Sequence, residues 1–163
     1  MSFDLPPDAL DRNLVFDFFW KFSVFECALK RGGFLDKQSK YATADWAAFG
    51  GEVHEGFVAM KAANFQIAVN RINKLNPKCQ MRRGEQLSWE PVTRKSDESD
   101  TAHTLKLLKT VRNNLFHGGK YPDGPAEEVA RDREILQAAL TILECCYELH
   151  PGIKGWIEEA VAA

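Results

Sequence analysis

The sequence predicts an all-α domain, an antiparallel bundle of five or six helices, on three observations. Apolar residues recur at helical spacing along nearly all of the 163 residues. No stretch shows a convincing period of two. The interruptions, Gly32-Gly33, Gly50-Gly51, Asn76-Pro77, Gly118-Gly119 and Pro151-Gly152, are residues that stop helices. A hydrophobic content of 45% and a charged content of 27% are those of a globular chain with material for one core, so residues 1–163 read as a single domain.

The first helix is expected from Asp8, a capping residue after Pro6-Pro7, to Lys30, with Leu10, Leu14, Phe18, Phe22, Phe25 and Leu29 as its core stripe. A second stripe of Phe16, Trp20 and Cys27 lies on roughly the opposite side. A helix apolar on two faces is buried on both, the second against another helix of the chain or a second subunit. A short helix fits Asp45–Phe49. A long one fits Val53–Leu75, with Val53, Phe57, Met60, Ala68, Ile72 and Leu75 inward and Asn64 in the middle of that face.

Residues 77–98 form an extended non-helical loop rich in base: Lys78, Arg82, Arg83, Arg94 and Lys95, with Trp89 among them. Arg82 and Arg83 beside an exposed ring suit single-stranded RNA, whose bases stack and whose phosphates pair with guanidinium. The alternative is a solvated loop with Trp89 tucked into the bundle as an anchor. Beyond it, Asp100–His117 is helical, with Thr104, Leu107, Leu108, Val111 and Leu115 toward the core. On its flank His103, Thr110 and His117 recur every seven residues, with Asn113 and Lys106, a candidate RNA contact, beside them, a polar, proton-active and cationic stripe. After the loop Gly118–Pro125, where Lys120 is a further candidate phosphate contact, a helix fits about Ala126–Leu149. Its core positions are Ile135, Ala139, Ile142, Leu143 and Cys146, and a last amphipathic helix follows Pro151-Gly152.

A net charge of −2 gives no global nucleic-acid footprint, so any RNA site must be a local patch. No run approaches the roughly 18 apolar residues of a membrane span. Met1–Asp8 carries Asp4 and two prolines in place of a basic, apolar leader, and a cytoplasmic protein with reduced thiols is expected. Cys27, Cys79, Cys145 and Cys146 show no CxxC or Cys/His metal spacing, no phosphate loop of the Walker or Rossmann kind is present, and no metal or cofactor is expected.

The stretch 111–121, Val-Arg-Asn-Asn-Leu-Phe-His-Gly-Gly-Lys-Tyr, is the most informative. Arg112 and His117 stand five positions apart, which separates their directions by about 140° on an ideal helix. A guanidinium and an imidazole so placed can flank one phosphate from two sides. Arginine grips phosphate with a planar fork, and histidine moves protons near neutral pH. The same residues also read as an ordinary helix end, with cations against the dipole and Gly118 as the stop.

The string Arg112-Asn113-Asn114-Leu115-Phe116-His117 resembles the Arg-(four residues)-His signature of the HEPN superfamily, the "higher eukaryotes and prokaryotes nucleotide-binding" helical domains. Asn113 matches the polar residue that usually follows the arginine there. The resemblance implies a metal-independent endoribonuclease, of the toxin or phage-defence kind, whose site forms across a homodimer and which an antitoxin or other partner neutralises. Arg112 would hold the phosphate, His117 would move a proton as the ribose 2′-oxygen attacks, and Asn113 would orient His117 or bond the phosphate. The products would be a 2′,3′-cyclic phosphate and a 5′-hydroxyl. A non-catalytic HEPN-like module that binds nucleotide or RNA is the alternative. Two departures stand out. Gly119 occupies the place where one branch carries a tyrosine modified by adenylylation, the nearest tyrosine being Tyr121, and the basic loop at 77–98 is not a general family feature.

Overall fold

The computed structural model describes residues 10–116 and 126–162. Within them the chain is mainly helical, with one two-stranded sheet. Asp11 starts helix α1 (Arg12–Arg31), its carboxylate accepting from the N–H of Asn13 at 2.8 Å and of Leu14 at 3.4 Å. The start is therefore Asp11, three residues later than expected, and Asp8 lies outside the described residues. Lys30 and Arg31 meet the negative end of the dipole, and Gly32 stops the helix with its N–H on the Ala28 carbonyl. A Cβ on Gly32 would come 2.6 Å from Cδ1 of Ile153, so the glycine lets the last helix approach.

The stripe Phe18, Phe22, Phe25 and Leu29 is buried as the spacing predicts. Trp46 opens α2 (Trp46–Glu52), capped by Asp45, and lies nearly parallel to Phe22 and Phe25 at 5.0 and 5.6 Å. Gly50, expected to end this helix, lies within it and faces Leu105, where a Cβ would sit at 3.0 Å.

The helix expected over 53–75 is two helices, α3 (His54–Ala59) and α4 (Ala63–Leu75), with Met60 and Ala62 in extended conformation between them. Packing explains the break. Phe57 and Phe65 are both buried with ring centroids 4.8 Å apart, edge to face. In one continuous helix eight residues would hold them about 12 Å apart along the axis. Propensity favours continuation through Ala59-Met60-Lys61-Ala62, and the aromatic contact overrides it. The reorientation places Phe65 inward and leaves Asn64 exposed, contrary to the expectation for Asn64.

Asn76 ends α4 in the left-handed conformation, φ 43°, and Arg131 of α6 (Ala126–Cys146) donates to the Leu75 and Asn76 carbonyls. The chain then forms a hairpin, the main correction to an all-α reading: β1 (Lys78–Arg83) pairs antiparallel with β2 (Gln86–Pro91), Arg83 opposite Gln86. Gly84, at φ 63°, supplies the positive dihedral required at the first position of a two-residue hairpin turn. The strands bury no apolar face, which is why no period of two marks them. Trp89 lies on β2 and is 37% exposed.

Helix α5 (Asp100–Phe116) packs against α2, α4 and α6, which also covers α1 and α4. Ile135, Ala139, Ile142, Leu143 and Cys146 of α6 are buried as the spacing predicts. Cys146 packs as a small hydrophobe, and burial pushes its thiol well up. All four cysteines are free. Helix α7 (Pro151–Ala162) inserts Ile153 between these layers and Gly32. No helix among the described residues is long and apolar enough to cross a membrane.

Candidate functional site at the end of helix α5

Helix α5 carries more buried polarity than its apolar stripe predicts, and each group has a partner. Thr101 meets Nδ1 of His54 at 2.8 Å, and Thr104 accepts from Asn73 at 3.3 Å. Asn114 donates to the Lys78 carbonyl at 2.8 Å, fixing the last turn against β1.

The polar flank of α5 is closed along its first half. His103 is only 8% exposed, its Nδ1 3.2 Å from Glu98. Lys106 reaches the same carboxylate at 3.3 Å and donates to the Thr93 carbonyl at 2.9 Å. Burial raises the Glu98 carboxyl, but the Lys95 N–H, Lys106 and His103 together outweigh it and hold the group below its usual range. Lys106 is thus committed to fastening the segment after β2 onto α5. Thr110 bonds the Lys106 carbonyl within the helix.

Accessible polar chemistry concentrates at the last turn. The Arg112 guanidinium lies 5.1 Å over the Phe116 ring, with Nη1 donating to Oδ1 of exposed Asn113 at 3.1 Å. Stacking and that one bond leave the remaining guanidinium N–H groups to other acceptors. Phe116 is 45% exposed and meets Phe19 of α1 at 4.9 Å. His117 and Lys120 lie outside the described residues.

Arg82 and Arg83 belong to the turn end of the hairpin. Arg82 donates to the Gly84 carbonyl at 2.6 Å, and Arg83 pairs with Glu90 at 2.7 Å. β1 touches α5 at Lys78, and four to five residues of strand carry these arginines about 13–17 Å farther along. They form a separate basic tip, not part of the Arg112 turn. No cluster of three or more His, Cys, Asp or Glu side chains fit to hold a metal occurs among the described residues.

Phe19 extends the outward stripe of Phe16 and Trp20. It lies three positions after Phe16 and one before Trp20, on the same outward face of α1, and all three are exposed. The spacing itself was the available signal. Comparison with protein-family models, curated proteins and solved structures finds no match to this chain.

Proposed function

We propose that this chain is a metal-independent endoribonuclease of the HEPN kind, its helices forming the corresponding antiparallel bundle. The observation that carries the reading is the position of the Arg112–Asn113 pair at the end of α5, with Arg112 five residues before His117 in sequence. The 2′-oxygen loses its proton and attacks the adjacent phosphorus, the bond to the 5′-oxygen breaks, and that oxygen takes up a proton. His117 carries one of these protons, and Arg112 neutralises the charge that builds on the phosphoryl oxygens. Asn113 steers the guanidinium it already contacts. One Arg/His pair supplies few groups for two proton transfers, so a second copy related by a two-fold axis completes the site.

The Arg112–Phe116 stack favours one competing reading, a non-catalytic nucleotide- or RNA-binding module in which the arginine braces the helix end. Cleavage of single-stranded RNA in EDTA separates the two. The enzyme reading expects cleavage by the unmodified protein and a loss of roughly a hundredfold or more in His117→Ala, with its circular dichroism unchanged. Equal cleavage by a folded His117→Ala protein overturns it.

A further inference from the structure

We propose that the outward face of α1 is a stacking platform for unpaired RNA bases, leading to the Arg112 turn. The inference rests on the ribonuclease reading for its substrate class. Phe16 is 61% exposed, Trp20 51% and Phe19 37%, and Phe19 passes the surface to Phe116, under the Arg112 guanidinium. Phe16, Phe19 and Trp20 thus share one exposed face of α1 at helical spacing, and Phe19 joins that face to Phe116 and the Arg112 guanidinium, an amount of apolar surface that soluble monomers rarely leave open.

Charge identifies the occupant. At about 100° per residue, the arc within about 60° of Phe16 also holds Arg12, Lys30 and Arg31. The acids of α1, Asp17 and Glu26, fall outside that arc. Arg31 sits over the Trp156 ring at 5.5 Å, so the far end of the stripe repeats the cation-on-ring arrangement of Arg112 and Phe116. The stripe runs about 28 Å from Arg12 to Arg31. A second copy docked along the full length of this face would set Arg12 on Arg12 in a parallel pair and Arg12 on Arg31 in an antiparallel one, which opposes association. A single strand of RNA brings the complementary features, an anionic backbone and flat bases that stack on rings without regard to sequence. A duplex offers no free base faces.

The test measures binding apart from cleavage. Anisotropy of a labelled single-stranded 12-nucleotide RNA is followed in the His117→Ala protein, beside a duplex of the same sequence. Single-strand binding should exceed duplex binding. Phe16→Ala/Trp20→Ala should weaken it roughly tenfold or more. Trp20→Phe should keep most of the affinity, whereas Trp20→Leu, apolar but without a π face, should lose it. No single-strand binding, unchanged affinity in the double variant, or Trp20→Leu equal to Trp20→Phe overturns the platform. So does a double variant that turns a dimer into a monomer at unaltered RNA affinity, which would assign the stripe to a second copy. Cleavage by the unmodified protein with no platform effect leaves the ribonuclease reading standing alone. A platform effect without cleavage does the reverse.

Discussion

Asn114 Nδ2 donates to the carbonyl of Lys78 at 2.8 Å, so the last turn of the motif helix is fastened to the first residue of the hairpin. Its neighbour Asn113 faces solvent and, among the described residues, its side chain bonds only the Arg112 guanidinium. Two adjacent asparagines thus divide into a structural one and a surface one. Asn114→Ala should cost about 0.5–1.5 kcal/mol in urea unfolding, since it removes a part-buried hydrogen bond that fastens the helix end to the hairpin. Asn113→Ala should stay within about 0.5 kcal/mol. Equal effects from the two would contradict the division.

Arg112→Lys should impair RNA cleavage nearly as much as Arg112→Ala. Lysine keeps the charge but not the planar fork, nor the flat face that rests on Phe116. The rates need to be compared at matched salt, because phosphate contacts weaken steeply as salt rises. Substantial activity in Arg112→Lys would reduce the residue to a source of general attraction.

Glu98 should make stability depend on acid pH. Its carboxyl sits below the usual range in the folded chain, so the unfolded chain binds that proton more readily. The contribution is full above the unfolded carboxylate value of about 4.3 and is lost as pH falls through the lower folded value. Urea midpoints from pH 7 down to pH 3 should show Glu98→Gln less stable at neutrality and with a shallower decline on acidification. Parallel curves would remove Glu98 from the acid response.

Gly32→Ala should destabilise by about 1–3 kcal/mol, because the new Cβ meets Cδ1 of Ile153 at 2.6 Å and the Ala28 carbonyl at 3.1 Å. Ile153→Val removes Cδ1 at its own cost of about 0.5–1.5 kcal/mol. The double variant should be more stable than the sum of the two losses, and strict additivity would place the strain elsewhere.

If the site is composite, Arg112→Ala and His117→Ala proteins, each inactive alone, should regain part of the activity on mixing. Sedimentation at micromolar concentration should show a dimer for each. An active monomer would exclude a shared site.

Periodicity carried the core of α1, α5 and α6 because each buries one regular stripe, and Phe18, Phe22, Ile142 and Cys146 sit where the spacing puts them. It failed where a long-range contact decided the outcome. Phe57 and Phe65 break a helix that every local preference would continue. The hairpin escaped because its alternate side chains have no buried face to record, although Gly84-Glu85 between two short extended runs was a turn signal of the right length. The polar flank of α5 was legible as a pattern of residues. The engagement of Lys106 was not, since Glu98 reaches it from another segment. Arg112 and Asn113 were legible from their order in the chain, whereas their aromatic surroundings required Phe19 from α1.

The hairpin is held chiefly at its base, where Asn76 donates to the Val92 carbonyl at 3.2 Å and Asn114 to that of Lys78, while its tip projects without a buried face. Two strands without an apolar face are marginal by themselves. Its amides should therefore trade their protons with solvent through local opening, far ahead of those in α1 or α5, whose release requires the core to open. Among the described residues this small ribbon is a low-energy excursion from the native state, and a place where evolution can lengthen, shorten or recharge the tip without disturbing the packing beneath it.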